Sequence, residues 1–187
     1  MTTSFPGFAD PVLDSQSCFR ALLEAMSRPG RVQRVIAPPE VPPGLSPASA
    51  AVLLTLVDAD TPLRLNAGAG AEAWVRFHCG CPLVRDGAAF VLDEGAGLAE
   101  LEAGTDEEPE RGATLILEVA SLDEAAGWRL TGPGIREAHL LRVGGAPESF
   151  IAEWERNRAA FPRGVDVLLT AGDRLAALPR TVRIEEG

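Results

Sequence analysis

Lysine and tyrosine are both missing from this chain of 187 residues, so all 17 of its permanently basic side chains are arginine. Without lysine there is no Schiff base with pyridoxal phosphate and no lysine nucleophile. A phosphate loop of the Walker type is excluded as well, because it needs a lysine against the phosphates. Arginine is therefore the side chain left to bind an oxyanion, through its planar fork of N–H donors.

Positive charge and long apolar runs are also scarce. The formal net charge is −10, which argues against non-specific binding to nucleic acid or to anionic membranes. No apolar run approaches the roughly 20 residues that a membrane-spanning helix needs. The first residues have no basic region followed by an apolar core, so we expect a cytoplasmic protein. An anionic ligand would have to meet a local cluster of arginines.

Cysteine is rare, and the odd count of three predicts reduced thiols in a reducing compartment. His78, Cys79 and Cys81 fall close enough together to invite a metal interpretation. Zinc takes four ligands, however, and the remaining soft side chains lie far along the chain, so we predict no metal site. His78 is either a polar group lining a cleft beside Arg76 or a structural histidine.

With 46% hydrophobic residues, the chain is predicted to form one globular domain over residues 1–187. The run 113–120 is almost continuously apolar, which is typical of a central strand buried on both faces. The overall pattern predicts an α/β fold with a mixed sheet. Helices are predicted at 15–27, 47–57, 97–103 and 147–160, and strands at 31–36, 63–66, 74–79, 88–92, 113–120, 128–131, 138–143, 166–170 and 175–178.

Polar residues stand at the ends of the last two apolar runs. Asp166 opens the first run and Thr170 closes it, while the second run stops at a proline that Arg180 follows. Binding sites of α/β proteins gather at strand ends, so this pattern indicates function there. The turn that begins at Thr131 and Gly132 follows another strand and is able to present backbone N–H groups to an anion.

Two further groups of side chains leave alternatives open. Asp58, Asp60 and Asp166 are candidates for Mg²⁺ binding or acid–base chemistry, or else they end a helix and cap turns. No Ser-His-Asp or Cys-His pairing has a local signature, so no catalytic residue is predicted. The arginines expected to converge on phosphate or phosphonate oxygens are Arg28, Arg76, Arg163 and Arg180.

Seven blocks of the chain form an ordered pattern: Phe19–Gly30, Leu53–Pro62, Arg76–His78, Pro82–Val84, Gly112–Leu117 with Val119–Ser121, Leu130–Ile135 and Phe161–Thr181. In this order they resemble the PhnH family of bacterial phosphonate metabolism. The resemblance implies the three-layer α/β/α fold of pyridoxal-phosphate-dependent transferases, without the cofactor. It also implies a subunit of the carbon–phosphorus lyase core complex. That complex takes part in displacing adenine from a nucleoside triphosphate by a phosphonate, giving a ribose 1-phosphonate 5-triphosphate.

Two hypotheses for function follow. In the first, the chain has no turnover alone and works by docking on the other core subunits. In the second, it is an independent enzyme that binds phosphate or a nucleotide in an arginine-lined cleft. The resemblance further implies a homodimer when the chain is isolated. Trp74, Trp128 and Trp154 are candidates for its interface, although burial in the core is the commoner fate of such side chains. The predicted ligand-binding residues are Arg28, Arg76, His78, Thr131, Gly132, Asp166 and Arg180.

Overall fold

The structure is a computed structural model and describes residues 5–93 and 95–185. Two short 3₁₀ turns, Leu98–Glu100 and Pro109–Arg111, accompany the helices and strands. The elements run in the order α1 (Pro11–Ser27), β1 (Gln33–Arg34), α2 (Pro47–Leu56), β2 (Leu63–Leu65), α3 (Gly68–His78), β3 (Phe90–Leu92), β4 (Thr114–Glu118), β5 (Ser121–Thr131), β6 (His139–Gly144), α4 (Phe150–Ala159), β7 (Asp166–Ala171), β8 (Arg174–Leu178) and β9 (Arg183–Glu185).

The strands form two sheets. The larger has six strands in the order β1-β8-β7-β4-β3-β2, and the smaller has three in the order β6-β5-β9. Strands β2, β3, β4 and β7 are parallel, while β8 is antiparallel to β7 and β1 is antiparallel to β8. The α/β class and the mixed sheet are thereby confirmed, and the two C-terminal apolar runs are the hairpin β7–β8.

The larger sheet separates two apolar clusters, because successive residues of a strand point to opposite faces. In β4, Ile116 packs with the cluster on the side of α1, α2 and α3, whereas Leu115 and Leu117 pack with the other cluster. In β7, Leu168 joins the helical side in the same way. Both faces of these strands are buried, which explains why their sequences are apolar without alternation.

The far face of the larger sheet is covered by the smaller sheet together with α4. Leu122 and Leu130 of β5 and Leu141 of β6 pack there with Phe150 and Trp154 of α4. The third layer is therefore a three-stranded sheet and one helix. In the α/β/α arrangement that the resemblance implies, this layer would consist of helices.

The three tryptophans lie mainly in the interior. Trp74 and Trp154 are buried, and the half-buried Trp128 stacks on Phe150 with ring centroids 5.2 Å apart. Of the two alternatives for these residues, burial in the core is the one that the structure shows for Trp74 and Trp154.

Local chemistry sets the helix ends. The Asp10 carboxylate accepts hydrogen bonds from the backbone N–H groups of Val12 and Leu13 at the start of α1, and Pro11 occupies its first turn. Ser46 caps α2 in the same way by accepting from the N–H of Ser49. These caps fix the ends of two helices that lie against the larger sheet.

Three secondary-structure predictions need correction, and one strand has no predicted counterpart. Residues 74–79 belong to α3 and its C-terminal end, not to a strand, because the buried positions Ala71, Trp74 and Val75 follow helical spacing. The helix expected at 97–103 is only a single 3₁₀ turn. Strand β5 is much longer than 128–131 and carries an irregularity between Asp123 and Trp128. Strand β9 was not predicted, since its run is short and charged.

In the ranges 5–93 and 95–185, none of the helices combines the length and the apolar character that crossing a bilayer requires.

Candidate functional site

A cavity of about 510 Å³ lies where the C-terminal end of α1 meets the turn between β5 and β6. Its volume falls within the range of about 300–1,000 Å³ that is usual for small-molecule sites. Among the residues that line it are three arginines, a histidine, a carboxylate and a glycine: Arg28, Arg31, Arg136, His139, Glu137 and Gly134.

Two glycines allow the helix end and the turn to approach each other closely. Gly30 has a φ of 83°, and a Cβ atom there would lie 2.3 Å from Cδ1 of Leu130. Gly134 has a φ of 82°, and a Cβ atom there would lie 2.3 Å from the carbonyl oxygen of Ser27. Both positions need the left-handed backbone region that glycine tolerates. The glycines therefore hold the two walls of the cavity together.

The arginines of the cavity differ in their partners. Arg28 pairs with Glu24 one turn earlier on α1, and its side chain is 54% exposed. Arg31 and Arg136 are exposed, and neither side chain has a hydrogen-bond or ion-pair partner among the described residues. Two guanidinium groups at this cavity are thus available to a ligand, and the third has only an exposed partner.

His139 forms a wall of the same cavity. Its Nε2 atom is buried and has no hydrogen-bond partner in residues 5–93 and 95–185, although Oε2 of Glu124 lies 3.5 Å away. The other carboxylate oxygen of Glu124 accepts a hydrogen bond of 3.0 Å from the backbone N–H of Val32. Glu124 therefore ties the segment after α1 to β5, directly behind the histidine.

The predicted glycine turn lies next to this cavity. Thr131 ends β5, and Gly132 accepts a hydrogen bond from the backbone N–H of Ile135 at 3.1 Å. Gly132 also packs closely on the backbone of Thr181. The structure thus brings Arg28 and the turn together through Gly134, and it places Gly132 against the C-terminal segment.

Arg180 and Asp166 bind each other. Nε and Nη2 of Arg180 donate to the two carboxylate oxygens of Asp166 at 3.2 and 2.7 Å, and the Arg180 backbone N–H donates to Oδ1 at 2.7 Å. Nη1 donates to the carbonyl oxygen of Pro109 at 2.8 Å. The Arg180 side chain is only 12% exposed. The pair joins the start of β7 to the segments around it, and all three nitrogens of the Arg180 side chain already donate hydrogen bonds.

Arg163, the other arginine of this region, is exposed and lies 3.2 Å from Asp106 through its Nε atom. Asp58 serves its own turn, because its Oδ1 accepts from the Asp60 backbone N–H at 3.1 Å and from the Thr61 hydroxyl at 2.6 Å. Asp58 is thus part of its own turn, and Arg163 is part of an exposed ion pair.

Two of the predicted ligand-binding residues, His78 and Arg76, lie on α3. His78 donates from Nε2 to the carbonyl oxygen of Phe5 at 3.1 Å, and its ring packs on Gly7. Arg76 is exposed on the same helix. Neither residue lines the cavity at the end of α1.

The thiols of the cysteines near His78 are shielded from solvent by packing. Burial, together with the neighbouring Cys81, raises the pKa of the Cys79 thiol to about 12. Burial also raises the pKa of Cys81 and of Cys18. Within the described residues, no three histidine, cysteine, aspartate or glutamate side chains are grouped as a metal ion would require.

A second polar cluster, missed in the sequence, lies at the carboxyl ends of β2 and β3. Asp93 is buried, and its Oδ2 accepts from Nε and Nη2 of Arg64 at 3.0 and 2.7 Å, while Oδ1 accepts from Asn66 at 3.0 Å. Burial favours the protonated form of Asp93, but the hydrogen bonds from Asn66 and Arg64 outweigh it and lower the pKa. Asn66 and Asp93 each follow a parallel strand directly, which is the signal that sequence analysis overlooked.

Arg31, Arg136 and His139 were also missed as site residues. Each arginine lies within two residues of a glycine with positive φ, Gly30 or Gly134. Glycine turns followed by arginine are therefore the sequence signal that would have found them.

The fold and the cavity define an α/β protein with a mixed sheet and an arginine-lined pocket beside it. Residues 6–185 match the family described as "Bacterial phosphonate metabolism protein (PhnH)". The chain belongs to the PhnH family.

Two curated relatives are similar over most of their length. One is the "Alpha-D-ribose 1-methylphosphonate 5-triphosphate synthase subunit PhnH" of Rhizobium meliloti (strain 1021), 38% identical across 95% of this chain and 94% of the relative. The other is the "Putative C-P lyase subunit protein HtxG" of Stutzerimonas stutzeri, 36% identical across 90% of this chain and 85% of the relative.

Proposed function

We propose that this chain is a subunit of a carbon–phosphorus lyase core complex in organic phosphonate catabolism. In that role it supports formation of a ribose 1-phosphonate 5-triphosphate from a nucleoside triphosphate and a phosphonate. The observation that carries the proposal is the nearly full-length similarity to a relative named as a subunit of that synthase. The match to the PhnH family over residues 6–185 supports it as well.

The polar contacts favour a non-self-sufficient subunit over an independent enzyme. In the part of the chain that the structure describes, no serine, threonine or cysteine side chain hydrogen-bonds to a histidine. His78 is engaged with a backbone carbonyl and His139 lies against Glu124. A nucleophile activated by an adjacent base is what covalent catalysis uses, so these contacts give no support to a covalent mechanism carried out by the chain alone.

Co-purification and reconstitution test this proposal. The tagged chain is co-expressed with the other core subunits, and the purified assembly is assayed for phosphonate-dependent release of adenine from ATP. We expect the chain to co-purify, the assembly without it to lose turnover, and the isolated chain to show none. Turnover by the isolated chain, or full turnover by an assembly that lacks it, would contradict the proposal.

Several finer properties belong to the same proposal. Arg28, Thr131 and Gly132 are the proposed ligand contacts, since they lie at or beside one cavity. Ligand binding by Arg76 and His78 stays a prediction, and for Asp166 and Arg180 their mutual pair favours a role in stability. A single domain, a cytoplasmic location, a fold akin to pyridoxal-phosphate-dependent transferases and the lack of a cofactor also stay predictions.

We also propose that the isolated chain forms a homodimer. One stripe of α1 carries Val12, Phe19 and Leu23, whose side chains are 65%, 46% and 54% exposed. Helical spacing places these three residues on one face, and exposed apolar stripes of this kind mark interfaces. A stable dimer would bury at least about 1,000 Å² in total.

Sedimentation equilibrium at micromolar concentration tests the dimer. We expect twice the chain mass of 19.7 kDa, and Phe19→Glu should shift the equilibrium to monomer. Phe161→Glu is the matched control, because Phe161 is also exposed but lies outside α1. A mass of 19.7 kDa at all concentrations would show the dimer proposal to be wrong.

A further inference from the structure

We propose that the cavity between the end of α1 and the β5–β6 turn binds a chain of phosphoryl groups, as in a polyphosphate or the triphosphate of a nucleotide. Arg28, Arg31 and Arg136 would hold the phosphoryl oxygens. The inference deepens the ligand contact proposed for Arg28 and does not depend on whether the chain docks on other subunits.

The sign of the charge at this cavity is opposite to that of the chain. Three guanidinium groups and the one carboxylate of Glu137 line it, whereas the chain as a whole has a formal net charge of −10. The general field of the protein repels anions, so binding must come from short-range contacts with these arginines. Guanidinium groups match phosphoryl oxygens through paired hydrogen bonds, which makes a phosphorylated ligand the best fit.

The spacing and size favour several phosphoryl groups over one. Arg28 and Arg31 come from the end of α1, and Arg136 comes from the facing turn, so a ligand that uses all three must reach across the cavity. A volume of about 510 Å³ is ample for a nucleotide. A helix C-terminus carries partial negative charge that opposes anions, which is a further reason why one guanidinium would not suffice.

The guanidinium groups can bind a ligand without giving up strong interactions within the chain. Arg31 and Arg136 have no competing partner among residues 5–93 and 95–185, and the exposed pair of Arg28 with Glu24 is of the weak surface type. His139 also lines the cavity, but its Nε2 atom is buried and lies 3.5 Å from Oε2 of Glu124. The glycines at 30 and 134 allow the close approach of the backbone segments that carry these groups.

Calorimetric titration of the isolated chain at low ionic strength tests the proposal, with tripolyphosphate, ATP, pyrophosphate and inorganic phosphate as probes. We expect tripolyphosphate and pyrophosphate to bind more tightly than phosphate. Equal affinity for ATP and tripolyphosphate would mean that the site reads the phosphoryl chain alone, and tighter binding of ATP that the cavity also holds the nucleoside. Absence of binding by every probe up to about 1 mM overturns the proposal.

Charge-matched variants identify the site. Arg31→Gln and Arg136→Gln should each weaken tripolyphosphate binding by about tenfold or more. Arg20→Gln is the control, because it removes the same charge from an exposed position on α1 that does not line the cavity. Equal weakening by Arg20→Gln would mean non-specific attraction and would overturn the proposal.

Two readouts separate this inference from the assembly proposal. Thermal melts establish that the glutamine variants are folded, and co-purification with the other core subunits establishes that they still assemble. Loss of anion binding in variants that assemble normally supports the cavity as the site. Unchanged anion binding in both Arg31→Gln and Arg136→Gln contradicts it, whatever the outcome for assembly.

Discussion

Two groups of arginine side chains in this molecule have opposite surroundings. Arg180 is 12% exposed, and its donors are bound to the Asp166 carboxylate and to the carbonyl oxygen of Pro109. Arg28, Arg31 and Arg136 line an open cavity, and two of them have no partner in the described residues. Arg28 and Arg180 both lie in blocks that resemble the family, so residue type and position in such a block do not distinguish a structural arginine from one that is free to bind a ligand. The two kinds of arginine are distinguished by whether the guanidinium nitrogens already donate hydrogen bonds within the chain.

The largest effect is expected at the saturated pair. Arg180→Ala leaves the Asp166 carboxylate, whose side chain is 19% exposed, without its counter-charge. We expect the free energy of unfolding to fall by about 3 kcal/mol, because one-sided removal of a buried ion pair leaves a charge uncompensated. Urea denaturation of both proteins measures this change. Arg31→Ala is the comparison, and an equal loss from both substitutions would remove the distinction between the two groups.

The next effect concerns the wall of the cavity. Gly134→Ala should lower the free energy of unfolding by about 2 kcal/mol, since the new Cβ combines a strained backbone with an approach to Ser27. Gly68→Ala is a matched control, because Gly68 has a φ of 84° and a Cβ atom there would meet nothing within 4 Å, so only the strain of about 1 kcal/mol applies. Equal losses, again from urea denaturation, would mean that the close approach is easily relieved.

The parts of the fold that were predictable are those in which local pattern and burial agree. The apolar runs of β4, β7 and β8 are buried on both faces of one sheet, so their composition alone identified them. The end of α1 was also predictable, because Pro29 and Gly30 cannot continue a helix. By contrast, the residues of α3 from Trp74 onward include aromatic and β-branched side chains that favour a strand locally, and packing of one helical face prevails.

The candidate site was predictable only in part, because the sequence shows single residues and turns but not the tertiary contacts between them. Arg28 and the glycine turn were identified separately, but only the tertiary contact between Gly134 and Ser27 brings them together. Arg31 and Arg136 carry no distinguishing pattern beyond the nearby glycines. For Arg180 and Asp166, the sequence placed both at strand ends, but nothing in it indicated that each is the partner of the other.

The Arg64–Asp93 pair extends the comparison to a third environment, partly exposed on the arginine side. Because the folded pKa of Asp93 is lowered, its contribution to stability is complete above the unfolded pKa and is lost as pH falls through the folded pKa. Asp93→Asn should therefore lower the free energy of unfolding by about 1.5 kcal/mol at pH 7. The difference in the free energy of unfolding between the parent and Asp93→Asn should become smaller as pH falls below about 4.

Urea denaturation at about pH 7, 5 and 3.5 measures the difference in the free energy of unfolding between the parent and Asp93→Asn. These pH values lie on both sides of the ordinary pKa of aspartate. Asp86→Asn is the control at pH 7, because Asp86 is exposed and its substitution should change stability by no more than about 0.5 kcal/mol. If the difference in the free energy of unfolding between the parent and Asp93→Asn stays constant over this whole range, the stabilisation by Arg64 and Asn66 does not depend on the charge of the Asp93 carboxylate.

The smallest effect on stability is expected at the cavity arginines. Arg28→Gln removes an exposed i, i+4 pair with Glu24, which is worth about 0.3–0.5 kcal/mol. Arg31→Gln and Arg136→Gln remove no hydrogen bond or ion pair with the described residues, so their free energies of unfolding should stay within about 0.5 kcal/mol of the parent. Urea denaturation without added anion measures all three. In the presence of saturating tripolyphosphate, the parent should gain stability and these variants should gain less, because a ligand stabilises only the state that binds it. A loss above about 1 kcal/mol without ligand would make these side chains structural, as Arg180 is, and the contrast between the two groups would fail.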